Sequence, residues 1–240
     1  FAALESGVVP LLLSENINDE QLNDLIDIYS PKYIFSKKTF SNSIYSLRAK
    51  VEEGHLFLRN KALDISIHKD LALLLTTSGS TGSPKLVKLT KENIKSNAES
   101  ISEYLKIGYD DRAITSLPFN YSYGLSVINS HLFSGGSIVL SNSSMMEEKF
   151  WKSINDYSVT SIAGVPYNYE MMLRLGIDNL DIPTIKKMTQ AGGKLDYQKA
   201  KKVNDSLQLK GIDFYTMYGQ TEATARISYL PCGNIDKKPN

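Results

Sequence analysis

Short apolar runs rich in strand-forming residues alternate with amphipathic helical stretches along the 240 residues, and this alternation restricts the chain to few architectures. A strand that passes through a helix and returns beside itself makes a βαβ unit, so the expected class is α/β, with largely parallel β-sheets flanked by helices. Val8 to Leu13 reads as a strand. Asn18 then opens a helix with Gln21 three residues on; Leu22, Leu25, Ile26 and Tyr29 follow at helical spacing, and Pro31 closes it before a strand at Tyr33 to Phe35. Leu71 to Leu75 reads as a short buried strand with Leu86 to Leu89 as its hairpin partner. Thr90 caps a helix that gathers Ile94, Ala98, Ile101 and Leu105 on one face. Further strand and helix segments fall at Ala113 to Leu117, Gly124 to Phe133, Ser137 to Leu140, Phe150 to Tyr157, Ser161 to Ala163, Pro166 to Leu175, Ile185 to Ala191, Asp196 to Leu207 and Ile212 to Met217.

Charge and composition remove several function classes. With 27 Lys and Arg against 26 Asp and Glu, the net charge of +1 lacks the basic excess of a nucleic-acid or anionic-membrane surface. The 42% hydrophobic and 22% charged fractions exclude general disorder. Size scaling gives a folded surface of roughly 11,000 Å² against about 39,000 Å² unfolded, enough to bury a substantial core. The longest apolar runs fall far short of the roughly 20 residues needed to cross a bilayer, so no membrane insertion is expected. A single cysteine, Cys232, forms neither an internal disulfide nor a zinc cluster, which points to a reducing, cytoplasmic setting. His55, His68 and His131 show no metal-ligand spacing and read as structural or exposed. Ala113 to Met146 carries no Asp, Glu, Lys or Arg and reads as buried or pocket-lining chain. The opening Phe1-Ala2-Ala3-Leu4 lacks an initiator Met, and the chain stops in loop-like sequence after Leu230, so it reads as a fragment.

The run Thr76-Thr77-Ser78-Gly79-Ser80-Thr81-Gly82-Ser83-Pro84-Lys85 follows the buried strand and concentrates hydroxyls, glycines and one cation. Such a loop suits a polyphosphate, because the glycines let backbone N–H groups turn toward bound oxygens while the hydroxyls and Lys85 add donors and charge. It also has the ingredients of a plain surface hairpin. It is not a Walker loop, since Ser83 and Pro84 separate Gly82 from the lysine. Downstream, Tyr218-Gly219-Gln220-Thr221-Glu222 follows a strand-like run, and Ala191-Gly192-Gly193-Lys194-Leu195 places two glycines at another strand end. Alone, the first reads as an exposed turn and the second as the turn into a helix.

Together these segments resemble the signatures of the adenylate-forming superfamily, which contains acyl- and aryl-CoA synthetases, peptide-synthetase adenylation domains and luciferases. The loop is similar to that family's [ST]-[ST]-G-[ST]-T-G-x-P-K pattern, a match expected by chance on the order of 10⁻⁹ per starting position from average residue usage. It departs at Leu86, where the family usually has glycine. The Tyr218 segment is similar to the YGxTE motif. Ala191 to Leu195 resembles the adenine-side loop, with Lys194 in place of a small residue. A fourth segment, Leu117-Pro118-Phe119-Asn120-Tyr121-Ser122-Tyr123-Gly124-Leu125, resembles the L-P-L-F-H-x-x-G element that lines the acyl pocket, with Tyr121 where many acyl-CoA synthetases have His. Asn120 stands where amino-acid-activating members commonly place Asp, which disfavours an α-amino-acid substrate. Val165-Pro166 resembles the V-P-P element near the same pocket.

The resemblance implies ATP-dependent activation of a carboxylic acid to an acyl-adenylate with release of pyrophosphate, followed by transfer to CoA or to the phosphopantetheine thiol of a carrier protein. By the same resemblance, Thr77, Ser78, Gly79, Ser80, Thr81, Gly82 and Lys85 would hold the β- and γ-phosphates. Gly192, Gly193, Lys194, Tyr218, Gly219 and Gln220 would surround the adenine side, Thr221 would bond the α-phosphate, and Glu222 would hold Mg²⁺. Asn120, Tyr121, Tyr123, Gly124 and Val165 would contact the acid. Thr221, Glu222 and Lys85 form the catalytic set. Residues 1–240 would then be an incomplete large N-terminal domain, the ATP- and acyl-binding part, without its upstream segment and C-terminal domain. The chain alone would bind nucleotide weakly and adenylate poorly. The alternatives are a phosphotransferase that produces ADP and a non-catalytic binding or assembly module of the same fold.

Overall fold

The computed structural model describes residues 2–39, 42–52, 54–77 and 86–237. A short helix α1 (Ala2–Glu5) and a two-residue strand β1 (Leu11–Leu12) precede α2 (Asp19–Tyr29), β2 (Tyr33–Ser36), β3 (Tyr45–Val51), β4 (Gly54–Arg59), β5 (Leu71–Thr76) and β6 (Leu86–Thr90). The rest alternates strand and helix through α3 (Lys91–Leu105), β7 (Arg112–Ile114), α4 (Ser122–Phe133), β8 (Ser137–Val139), α5 (Glu148–Asp156), β9 (Ser161–Gly164), α6 (Pro166–Leu175), β10 (Lys187–Gln190), α7 (Tyr197–Leu209), β11 (Asp213–Tyr218) and β12 (Ser228–Leu230).

The strands form three sheets, in the orders β1-β5-β6, β2-β4-β3 and β12-β11-β10-β9-β7-β8. The six-stranded sheet is parallel except for β12, which pairs antiparallel with β11 at one edge. Its strands alternate side chains between two helical layers, as strand geometry requires. Ile162, Met188 and Phe214 point into a core with Phe150 and Ile154 of α5, Tyr169 and Met172 of α6, and Val203 and Leu207 of α7. Ala163, Tyr215 and Met217 point the other way, against Ile101 and Leu105 of α3 and Tyr123 and Val127 of α4. A parallel sheet covered on both faces presents its free ends, not its faces, to solvent.

Local sequence chemistry sets the helix boundaries. Asn18 accepts from the Gln21 amide at 2.8 Å, and α2 stops at a left-handed Ser30 just before Pro31. Thr90 and Asn93 exchange side-chain to backbone bonds, both at 3.0 Å, at the start of α3. Asp196 accepts from Gln198 and Lys199 to start α7.

The fold departs from the sequence reading in three places. Only Leu11–Leu12 of the Val8 to Leu13 run is strand, paired in parallel with β5. Tyr45–Arg59 holds a hairpin, β3 and β4, which the reading passed over, so the sheet β2-β4-β3 is wholly antiparallel. β12 follows the Tyr218 segment, at Ser228 to Leu230, where the reading assigned no element. The accessible surface is 14205 Å², and Ile28, Tyr33, Phe35, Leu47 and Val51 of the N-terminal elements leave apolar area in solvent.

Candidate functional site

The five parallel strands β7 to β11 all deliver their C-terminal ends toward one side of the large sheet, and the loops leaving β10 and β11 wall a cleft of about 1220 Å³ there. In open α/β sheets this edge is where ligands bind, because the loops diverge and leave a crevice between them.

The loop after β10 is held tight by its own chain. Gln190 donates from Nε2 to the Gly193 carbonyl at 2.8 Å. Gly192 has φ +82°, and a Cβ there would stand 2.2 Å from the Tyr121 hydroxyl and 3.2 Å from Val165 Cγ1, so the backbone lies directly against the Tyr121 segment. The loop after β11 closes more sharply. Ala225 donates to the Gln220 carbonyl at 3.2 Å and Ile227 to the Tyr218 carbonyl at 2.9 Å. A Cβ on Gly219 would fall 1.5 Å from the Ala225 carbonyl oxygen, so only glycine fits. Thr224 and Ala225 take positive φ values of 62° and 117°, strain of the kind that loops at functional edges often hold.

Between these loops stands the start of α4. Ser122 Oγ lies 3.1 Å from Thr221 Oγ1, tying the helix to the Thr-Glu turn. Tyr123 reaches past it, its hydroxyl 2.8 Å from both the carbonyl and Oγ1 of Thr189 in β10. Burial pushes the Tyr123 and Tyr121 phenols up from their ordinary pKa, so both remain neutral donors. Tyr121 meets Tyr123 edge to face at 6.2 Å.

Thr77, at the end of β5, lines the cleft, together with Tyr121, Tyr123, Gly192, Gly193, Lys194 and the whole Tyr218 to Glu222 segment. Ser78, Gly79, Ser80, Thr81, Gly82 and Lys85 lie outside the described residues. Three expected substrate residues do not line the cleft. Asn120 sits before the helix. Gly124 instead lets α4 pack close, since a Cβ would meet the Pro118 carbonyl at 2.4 Å. Val165 precedes α6 and acts on the cleft only through its contact with the Gly192 loop.

Among the lining residues to which the sequence reading gave no role are Ser122 and Arg226. Ser122 lay inside a quoted motif without a role. Arg226 is four residues past Glu222, and its one sequence signal is a lone arginine in an otherwise uncharged stretch from Ala223 to Asn234. Glu222 is the single carboxylate among the described lining residues, which also include the cations Lys194, Arg226 and Lys237. The cleft therefore favours anions. No group of three or more His, Cys, Asp or Glu side chains poised for a metal occurs among the described residues. One exposed carboxylate suits a divalent cation that shares its shell with phosphate oxygens and water, as Mg²⁺ does.

A family model described as AMP-binding enzyme matches residues 1–240. The acyl-CoA synthetase FUM10 of Gibberella moniliformis is 30% identical over 169 residues, covering 70% of this chain and 30% of that protein. The structure of o-succinylbenzoate CoA synthetase from Bacillus subtilis with ATP and magnesium ion matches at 27% identity and TM-score 0.60, over 75% of this chain and 37% of that one. A complex of the same enzyme with its acyl-adenylate intermediate matches at 23% identity and TM-score 0.73, over 99% of this chain and 49% of that one, and shows the shared fold. The chain thus spans about a third to a half of the length of these relatives.

Proposed function

Because the chain belongs to the AMP-binding enzyme family, we propose that residues 1–240 form part of the ATP- and acyl-binding domain of a ligase that activates a carboxylic acid as its acyl-adenylate. The observation that carries this reading is convergence. Thr77, the loop from Gln190 to Leu195 and the segment from Thr216 to Glu222 are far apart in sequence yet line one cleft at the C-terminal ends of their strands.

The chemistry asks little covalent work of the protein. A substrate carboxylate oxygen forms a bond to the α-phosphorus of ATP while the bond to the bridging oxygen breaks, and pyrophosphate leaves with that electron pair. Positioning and charge supply the rate. Tyr218, exposed on the cleft wall, offers a ring face to the adenine, and the flat glycine loop at Gly192 and Gly193 bounds the other side. Thr221, fixed by its contact with Ser122, orients the reacting phosphate. Glu222 would hold Mg²⁺, which when bound offsets charge on the phosphates. Thr77 and the loop through Lys85 receive the leaving group. The thiol of CoA or of a carrier protein then attacks the acyl carbon, the bond to the phosphate oxygen breaks, and AMP leaves with that electron pair.

Calorimetric titration with MgATP tests this. Glu222→Gln and Lys85→Ala each remove a charged contact and should weaken binding by about 10-fold to 100-fold, the range for charge-assisted bonds. Binding that neither substitution changes would sink the assignment of the cleft to nucleotide.

A further inference from the structure

Arg226 is only 9% exposed, yet no carboxylate of the described residues forms an ion pair with it. Its neighbours are neutral. Nη1 donates to the Tyr104 hydroxyl at 3.0 Å and lies 3.3 Å from the Met217 sulfur. The guanidinium carbon sits over the Tyr123 ring, 5.0 Å from its centroid. Nε is buried and has no hydrogen-bond partner among the described residues. A buried cation is strongly unfavourable without an anion and a full set of hydrogen bonds, and stacking on an aromatic face offsets only a fraction of that cost.

The residue is held stiffly despite this. Asn97 of α3 donates to its carbonyl at 3.2 Å, and Tyr104 stacks on Tyr229 with ring centroids 4.1 Å apart. Arg226 lines the same cleft as the Tyr218 segment, but on the side where Tyr123 and Met217 join the apolar cluster with Ile101 and Leu105. The cleft's two lysines, Lys194 and Lys237, are exposed at the surface. The cleft therefore has two kinds of positive charge, hydrated at its rim and dehydrated against its apolar wall. A polyphosphate would keep to the hydrated kind. A planar anion presented on a carbon chain fits the fork of a dehydrated guanidinium.

We propose that Arg226 reads a second carboxylate at the far end of the acid, so that the substrate class is a dicarboxylic acid activated at one end and held by Arg226 at the other. This rests on the acyl-adenylate reading of the cleft.

The test measures acid binding directly, by calorimetry, with glutarate and adipate against pentanoate and hexanoate, on the unmodified chain, Arg226→Gln and Arg226→Lys. MgATP binding is titrated in parallel on the same three proteins. The expected result is that each dicarboxylate binds about tenfold or more tightly than its matched monocarboxylate, the factor for one charge-assisted pair. Arg226→Gln should erase that ratio, Arg226→Lys should keep part of it, and MgATP affinity should stay unchanged in both. Thermal melting guards against misfolding, since removing an uncompensated buried charge should leave Tm equal or higher. Equal binding of the matched acids, a ratio that survives in Arg226→Gln, or binding of neither probe would overturn the proposal. A dicarboxylate preference in a chain that shows no MgATP binding would instead keep Arg226 as an anion reader and remove the nucleotide reading of the cleft.

Discussion

The six-stranded sheet and the antiparallel sheet β2-β4-β3 bury their apolar residues in opposite ways. Helices cover the first on both faces, so Phe150, Ile154, Tyr169, Met188, Val203 and Leu207 are almost wholly buried. The second packs one face on α2 through Ile26, Tyr45 and Phe57, and leaves Tyr33, Phe35, Leu47 and Val51 in solvent. Nearly all of the cleft is built on the first. A site that must hold a hydroxyl or carboxylate within a fraction of an ångström belongs on strands whose ends cannot shift, and close packing on both faces provides that rigidity. The antiparallel sheet contributes none of the lining side chains.

Deleting a ring from the covered sheet should test this most severely. Phe150 is fully buried and meets Trp151 edge to face at 5.4 Å, so Phe150→Ala removes apolar burial and leaves a cavity between α5 and the sheet. The expected loss is about 3–5 kcal/mol, read as a lower urea midpoint at unchanged slope. A loss below 1 kcal/mol would mean that the helical layer relaxes freely, and the rigid-scaffold argument would fail.

Acid should break the same region next. His131 on α4 is buried, and its Nδ1 lies 2.8 Å from the Val127 carbonyl and Nε2 2.9 Å from Ser161 Oγ on β9, which fits a neutral ring donating from Nδ1 and accepting at Nε2. Burial lowers its pKa to about 4, the Val127 bond and the Asp111 carboxylate oppose that shift, and the charges of Lys187 and Arg226 add to it. The unfolded chain therefore binds this proton first, near pH 6.5. His131 contributes its full stabilisation above that pH, and about 3 kcal/mol is lost as pH falls to the folded value. In His131→Gln the unfolding free energy should lose up to about 1.4 kcal/mol per pH unit of its slope between pH 6 and 4.5. An unchanged slope would assign the acid sensitivity elsewhere. Asp111 would be next, where burial raises the carboxyl but the Gly108 amide and the Lys187 ammonium more than reverse it.

How much of this was legible in the sequence depended on range. Caps and turns act over three or four residues, so Asn18, Thr90 and the end at Pro31 could be read directly, as could the 71–90 hairpin. The motif loops could be read because glycine is required where chain meets chain, as at Gly192 and Gly219. The hairpin of β3 and β4 hid because Arg48, Lys50, Glu52 and His55 interrupt its apolar pattern, and a sheet with one open face tolerates those residues. Lys187 hid for a different reason. It reads as a polar strand residue, yet it is buried, its Nζ 3.2 Å from Asp111, 76 residues earlier in the chain. Only the assembled sheet brings that pair together. Arg226 likewise owes its burial to α3 and α4, which no local pattern around it announces.

The antiparallel sheet supplies the smallest effect and the sharpest contrast. Phe35 on β2 is 61% exposed, but its ring lies over the neighbouring strand at Gly54, where a Cβ would stand 2.2 Å from Phe35 Cζ. The ring therefore shields one glycine's backbone and packs on little else beneath it. Phe35→Ala should cost about 0.5–1 kcal/mol, the scale of one cross-strand pair, severalfold less than the same deletion at Phe150. Because both substitutions remove the same benzyl group, their ratio cancels the intrinsic hydrophobicity of the ring and isolates what surrounds it. A cost at Phe35 approaching that at Phe150 would mean that the open face of this sheet is covered in solution, and the contrast between a two-faced and a one-faced sheet would no longer hold.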